Sequence, residues 1–87
     1  MTKQTLIEFP CEFPLKIIGK NSPTFLQEIT ATIRGHYPLT KDDAITSQIS
    51  KQDNYQSISV VVYALDQSTL DGLYQDLTRH PYVHMVL

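Results

Sequence analysis

Apolar and polar residues alternate in three stretches of the chain and follow a helical spacing in two others. A run of apolar, partly β-branched residues at 15–19 predicts a first strand. Alternation over residues 44–50 and again over 55–64 predicts two strands, which the short polar loop between them joins as a hairpin. The same alternation over residues 82–87 predicts a fourth strand.

Two helices are predicted between these strands. The first spans residues 23–34, where Pro23 suits the first helical position and Gly35 suits a C-terminal cap. The second begins at Ser68, the first residue of a capping-box pattern, and ends before Pro81. Its apolar positions follow the spacing i, i+3, i+4 and i+7: Leu70, Leu73, Tyr74 and Leu77.

The predicted order of elements is strand, helix, strand, strand, helix, strand. With right-handed crossovers, this order closes into a ferredoxin-like βαββαβ sandwich. It is an α+β fold with a four-stranded antiparallel sheet and two helices on one face. Residues 14–87 are predicted to form this single domain. Because Pro10 and Pro14 each remove a ladder donor, residues 1–13 are predicted to form an extended N-terminal arm.

Parity along the strands assigns their side chains to two sheet faces. The face covered by helices is predicted to take Leu15, Ile17, Ile45, Ile49, Ile58, Val60, Val62, Val83, Met85 and Leu87. The uncovered face mixes hydroxyls with apolar groups, and its predicted partner-binding residues are Ile18, Val61, Tyr63, Tyr82, His84 and Val86. Contiguous exposed apolar groups often mark an interface. Coverage by the N-terminal arm and contact with a second copy of the chain both remain open at this point.

Composition narrows the class of function. The 87 residues carry a net charge of −2, whereas a general nucleic-acid binder is usually basic. The third strand also lacks the glycines and the basic residue of an RNA-recognition module. The longest apolar run, residues 60–65, is far short of the roughly 20 residues that span a bilayer, and the N-terminus has no secretory pattern. We therefore expect a cytoplasmic protein that binds neither nucleic acid nor membrane.

Catalytic and metal chemistry finds little support in the residues. A single cysteine, Cys11, excludes an internal disulfide, and no neighbouring base or cation activates its thiol. His80 and His84 lie four residues apart, but Pro81 breaks the helix that a metal-binding pair at this spacing needs. No base–nucleophile or carboxylate pair can be placed on one face. We expect a non-enzymatic protein with no metal and no cofactor.

The best ligand candidate is the loop between the first strand and the first helix. It consists of Gly19, Lys20, Asn21, Ser22 and Pro23. Free amides at a helix N-terminus attract anions, and Lys20 adds positive charge, so an amino or organic acid is the ligand class that the loop would take. The glycine spacing matches neither a phosphate-binding loop nor a dinucleotide fingerprint. Helix capping alone also explains these residues.

Several segments resemble the YbeD-like family of small, uncharacterised bacterial proteins, and the match covers nearly the whole chain. The matching segments are Glu8-Phe9-Pro10 with Phe13, Lys16-Ile17-Ile18-Gly19, residues 54–60, residues 73–77 and residues 83–87. The resemblance implies a βαββαβ fold that is similar to the ACT domains, which bind amino acids and regulate metabolic enzymes. It implies no established catalytic activity, and the usual gene neighbourhood of the family hints at lipoate metabolism.

ACT domains typically bind their ligand between the first strand and the first helix, at a dimer interface. By position, the resemblance places this site at residues 19–23. The aspartate and the proline-glycine pair that are common there are replaced by Asn21-Ser22-Pro23. The first hypothesis is therefore a non-enzymatic regulatory or adaptor module that acts through a protein partner, or through a second copy as a homodimer. The alternative is a small-molecule binding domain of ACT type.

Overall fold

The computed structural model describes residues 8–87, so most of the predicted N-terminal arm, residues 1–7, lies outside the described residues. The elements in chain order are β1 (Cys11–Lys20), α1 (Phe25–His36), β2 (Ile45–Ile49), β3 (Tyr55–Ala64), α2 (Gln67–Arg79) and β4 (Val83–Val86). A short 3-10 turn, Asp42–Ala44, precedes β2. The strands form one antiparallel sheet in the order β2-β3-β1-β4, which confirms the predicted α+β sandwich.

The first strand is longer than predicted, because it begins at Cys11 and not at residue 15. All ten residues of β1 pair with the ten residues of β3, from Cys11 opposite Ala64 to Lys20 opposite Tyr55. Residues 11–13, which were predicted to belong to the arm, are therefore part of the sheet.

Pro14 lies inside β1 without the loss of a ladder bond. The backbone N–H and C=O groups of the even-numbered residues of β1 point towards β4. The Lys16 N–H donates to the Leu87 carbonyl at 3.0 Å, and the Leu87 N–H donates to the Lys16 carbonyl at 2.8 Å. The nitrogen of Pro14 faces the same side, where no residue among 8–87 pairs with it. The prediction that the missing donor of Pro14 leaves the residues before it in the arm was wrong for residues 11–13, since that donor would face no partner among residues 8–87.

The helices pack on one face of the sheet and close a single core. The buried cluster comprises Leu15, Ile17, Phe25, Ile29, Ile33, Ile58, Val60, Val62, Leu70, Leu73 and Leu77. The helical spacing of the apolar residues was thus a correct guide to the buried face. The helix ends differ from the prediction. Helix α1 begins at Phe25 and ends at His36, with Gly35 inside it, and α2 is capped by Asp66, whose Oδ1 accepts from the Thr69 N–H at 2.7 Å.

A β-bulge in β4 changes which of its residues face the helices. The register pairs Ile17 with Val86, Ile18 with Met85, and Gly19 with Val83. His84 is the extra residue, so His84 and Met85 both lie on the uncovered face, and Val86 packs against the core. The predicted faces of Met85, Leu87 and Val86 were therefore wrong, because parity fails wherever a strand contains an additional residue.

The strand β2 forms one edge of the sheet. Ile45 packs against the core, but Ile49, which was predicted on the covered face, is half exposed. Edge position explains the difference, because β2 has a neighbouring strand on one side only. Among residues 8–87, no helix has the length and apolar character needed to cross a bilayer.

Candidate functional site

At the start of the loop at residues 19–23, the space beside Gly19 is occupied by Tyr82 and Phe25. A Cβ atom at Gly19 would collide with the Tyr82 carbonyl oxygen and the ring of Phe25. The loop is tied to the β2–β3 turn, since the Asn21 side-chain amide donates to the Asp53 carbonyl at 3.0 Å. The Ser22 hydroxyl is buried and has no hydrogen-bond partner among residues 8–87. This loop is thus a packed connection with one unsatisfied hydroxyl, and it lines none of the three cavities described below.

Tyr82 does not lie on the uncovered face, where parity placed it. It packs against the core just before β4 begins. The centres of the Tyr82 and His80 rings lie 5.7 Å apart, and the Lys20 ammonium group lies 5.2 Å from the centre of the Tyr82 ring. Of the predicted partner-binding residues, Tyr82 and Val86 thus belong to the helix side.

The uncovered face, which we call the open face, consists of cross-strand rows. These rows are Tyr63 with Glu12, Val61 with Pro14, Ser59 with Thr46 and Lys16, Ser57 with Gln48 and Ile18, and Tyr55 with Lys20. Met85 extends the row of Ile18, and Leu87 lies beside Lys16. The Tyr55 ring meets the ring of His84 edge-on at 5.5 Å. Ile18, Val61, Tyr63 and His84 therefore share one face, as parity predicted.

The open face has a polar centre with apolar groups on both sides. A shallow cavity of about 310 Å³ in the centre is lined by Lys16, Thr46, Ser47, Gln48, Ser57 and Ser59. Towards one side, Val61 and Tyr63 expose 45% and 58% of their surface. Towards the other, Met85 and Leu87 expose 50% and 59%. A second cavity, of about 440 Å³, runs from Leu87 past Pro14 to Val61 and connects the two apolar regions.

A larger cavity of about 560 Å³ opens where β3 ends, and we call it the strand-end cavity. Its apolar lining includes Tyr37, Leu39, Val61, Tyr63 and Leu65. Its charged lining consists of the carboxylates of Glu12, Asp43 and Asp66 together with Lys41, and His36 also lines it. The described residues thus give this cavity an acidic rim, with three carboxylates and one ammonium group.

The wall of the strand-end cavity is the segment between α1 and β2, and Arg34 holds it in place. The Arg34 Nε–H donates to the Thr40 carbonyl at 3.1 Å, and its guanidinium group forms an ion pair with Asp42. The Tyr37 hydroxyl is buried without a partner among residues 8–87. Burial raises the pKa of the Tyr37 phenol, and the negative charge of Asp66 raises it further. Two contacts of Arg34 thus hold the wall of the cavity against α1.

Comparison with known proteins assigns the chain to a family. Residues 4–87 match the model of a family described as protein of unknown function, DUF493. The chain belongs to the DUF493 family. It is 44% identical over 85 residues to a UPF0250 protein of Neisseria gonorrhoeae, which covers 98% of this chain and 93% of that relative. A UPF0250 protein of Nitrosomonas europaea is 37% identical over 87 residues, the whole length of both chains. The predicted membership of a small bacterial family is confirmed.

Two solved structures share the fold of this DUF493 protein. The solution structure of a protein from H. pylori superimposes with a TM-score of 0.69 at 15% identity, over 93% of this chain and 85% of that one. The ACT domain of the GTP pyrophosphokinase of Chlorobium tepidum superimposes with a TM-score of 0.64 at 19% identity, over 88% and 97% of the two chains. At such low identity the likeness shows the fold alone, and it confirms an ACT-like α+β fold.

Two histidine–carboxylate pairs hold the helical layer of this DUF493 protein together, and no pattern in the sequence predicted them. The His80 Nε2 atom lies 2.7 Å from Glu28 Oε1, and the His36 Nε2 atom lies 2.7 Å from Asp76 Oδ2. The partners are 52 and 40 residues apart, so no local spacing reveals them. In the part of the chain that the structure describes, no three metal-ligating side chains form a group that could hold an ion. One pair links α1 to α2, and the other links α1 to His80, the residue directly after α2.

Proposed function

We propose that this DUF493 protein is a non-enzymatic regulatory or adaptor module that binds a partner protein through its open face. The observation that supports this proposal is the exposure of Val61, Tyr63, Met85 and Leu87 on a face that no helix of residues 8–87 covers. Exposed apolar groups in contiguity mark interaction surfaces. The proposal places this action in the cytoplasm, and the family resemblance supports a link to lipoate metabolism.

The chemistry of the open face suits a partner that associates and dissociates. Interfaces of that kind are about as apolar as the rest of a protein surface. The hydroxyls of Thr46, Ser57 and Ser59, with the Lys16 ammonium group, supply hydrogen bonds in the polar centre. The apolar groups on either side supply the area that is removed from water. A second copy of the chain is one partner that meets these requirements.

Site-specific crosslinking tests the proposal. A photoreactive amino acid replaces Met85 on the open face, and in a control variant it replaces Leu26, an exposed apolar residue of α1 on the helix side. In the native cell we expect discrete crosslinked products from position 85 that are absent from position 26. Equal products from both positions, or none from position 85, would contradict binding at the open face.

Sedimentation at micromolar concentration then distinguishes the two kinds of partner. A dimer that the Met85→Glu substitution dissociates, and that Leu26→Glu leaves intact, would identify a second copy on the open face. A strict monomer, combined with crosslinks from position 85, would identify a different protein.

The alternative is a small-molecule binding domain, and the buried Ser22 hydroxyl without a partner favours it. A ligand that accepts or donates a hydrogen bond at this atom would remove an unsatisfied polar group. A thermal-shift panel of amino acids, lipoate and related acids tests this function. A ligand at 100 times its dissociation constant stabilises the fold by about 2.7 kcal/mol. A panel without a shift, or a shift that persists in Ser22→Ala, would contradict binding at this loop.

A further inference from the structure

The strand β3 continues beyond the end of its neighbour β2. Pairing between the two strands stops where Ile45 lies opposite Val60, whereas β3 extends to Ala64. Residues 61–64 therefore have β1 on one side and no strand of residues 8–87 on the other. Within residues 8–87, the end of β3 is therefore a strand edge without a neighbouring strand, and we call it the free edge.

The free edge presents the backbone of Tyr63. Odd-numbered residues of β3 face β2, since the Tyr55 carbonyl accepts from the Ser50 N–H at 2.9 Å on that side. Tyr63 has the same parity, so its N–H and C=O point away from β1. No group of residues 8–87 forms a hydrogen bond with them. A row of unpaired backbone groups is a template for another strand.

The strand-end cavity opens directly on this edge. Tyr63 and Val61 form one of its sides, and the segment fixed by Arg34, with Leu39 and Thr40, forms the other. Its volume of about 560 Å³ exceeds that of a single side chain. A strand laid along the edge of Tyr63 would therefore have room for an apolar side chain beside its backbone bonds.

Charge defines the chemistry of such a strand. The carboxylates of Glu12 and Asp43 line the cavity, and neither forms a hydrogen bond or an ion pair with residues 8–87 through its side chain. The third carboxylate, Asp66, caps α2. Among residues 8–87, Lys41 is the single lysine of the lining. An acidic partner would be repelled at this rim, and a basic one would be attracted.

We propose that an extended peptide segment of the partner protein binds as an added strand at the Tyr63 edge of β3, in line with β2. One of its apolar side chains occupies the strand-end cavity, and a lysine or arginine two residues away, on the same face of the added strand, faces Glu12 and Asp43. Main-chain hydrogen bonds supply affinity in this mode of recognition, and the side-chain pocket supplies specificity. The inference rests on the proposed function and assigns the contact to one edge.

The test uses blocked nine-residue peptides that are selected from a random phage-displayed library against the whole protein. The expected consensus has an apolar residue and a basic residue two positions apart. Two variants form a matched pair: Tyr63→Ala removes the ring, and Tyr63→Pro removes the ring and the free N–H. Because Tyr63 and Glu12 form a pair without mutual hydrogen bonds, proline at this position leaves the β1–β3 ladder intact. We expect Tyr63→Pro to bind the selected peptide about tenfold more weakly than Tyr63→Ala.

Amide hydrogen exchange on the unmodified protein gives a second measurement that does not depend on the folding of Tyr63→Pro. The Tyr63 amide is expected to exchange freely without peptide and to be protected with it, while the Val62 amide, which faces β1, is protected in both states. Equal affinities of the two variants, an acidic consensus, or a Tyr63 amide that the peptide does not protect would overturn the inference. Protection that increases with protein concentration alone would overturn it too, because the occupant would then be a second copy.

Failure of this inference differs from failure of the proposed function. Crosslinks from position 85 that persist in Tyr63→Pro would keep the open face as an interface and reject the strand edge. Absence of crosslinks from position 85 in protein that keeps Tyr63 would reject the open face, whatever the peptide does at Tyr63.

Discussion

Gly19 lies where β1 meets both the core and the start of β4, and its hydrogen atom occupies space that no methyl group could fill. A Cβ atom there would overlap the Tyr82 carbonyl oxygen and the Phe25 ring. The carbonyl cannot retreat freely, because it accepts the Lys20 N–H at 2.8 Å. The Phe25 ring cannot retreat either, since it is completely buried. The substitution Gly19→Ala must therefore strain the core, the β1–β4 ladder or both.

The size of the effect follows from these two contacts. Overpacking of a closed core costs about 1–3 kcal/mol, and a weakened backbone hydrogen bond adds about 1 kcal/mol. We expect Gly19→Ala to lower the free energy of unfolding by about 2–4 kcal/mol, which is a large part of the roughly 4–13 kcal/mol that a chain of this size has. The melting temperature would fall by about 10–25 °C.

Urea denaturation followed by circular dichroism measures this change. The control is Gly35→Ala, because a Cβ atom at Gly35 meets nothing within 4 Å and alanine favours the helix α1. Gly35→Ala is expected to stabilise the protein by up to about 1 kcal/mol. A denaturation midpoint of Gly19→Ala equal to that of wild type, with an unchanged slope, would refute the argument from close packing.

Three other substitutions test particular contacts. The Thr24 hydroxyl and then His80 lower the pKa of Glu28 below 4.5. The Glu28 carboxylate therefore stabilises the fold above that pH, and this contribution is lost as the pH falls through the folded-state pKa. Urea titrations should show the difference in unfolding free energy between wild type and Glu28→Gln closing below about pH 4.5, and a constant difference would contradict this argument. Asp66→Ala should lower the melting temperature, because the Thr69 N–H loses its acceptor, whereas Ser68→Ala should leave it unchanged. A lower melting temperature for Ser68→Ala than for Asp66→Ala would instead identify Ser68 as the cap. Pro14→Ala should cost no more than about 1 kcal/mol, since it frees the unfolded chain and removes no ladder bond, and a larger loss in thermal melts would mean that Pro14 has a packing role.

Local patterns in the sequence predicted the parts of the fold that depend on local period. The odd and even residues of β3 separated correctly into open and buried faces, because β3 pairs with β1 in an unbroken register. Leu70, Leu73 and Leu77 are buried at the helical spacing that predicted them. In both cases the backbone geometry repeats regularly along the element, so the spacing of apolar residues predicts which side chains are buried.

Other features depend on contacts between distant segments, and the sequence could not show them. The bulge in β4 arises where Gly19 and Val83 pair after a shift in register. Parity therefore assigned His84 to the correct face and Met85 to the wrong one. The end of β2 relative to β3 depends on the turn Asp42–Ala44 and its neighbours. The strand-end cavity is a product of that difference in strand length, and no residue pattern announces it.

The bulge at His84 also separates two kinds of constraint along one short stretch of chain. In a regular strand, consecutive residues point to opposite faces. A change of two consecutive residues there alters one surface position and one core position. Here two consecutive residues, His84 and Met85, both serve the open face, while Val83 and Val86 on either side of them hold the core. Two adjacent codons can therefore change together and alter only the open face, while the codons that flank them stay fixed.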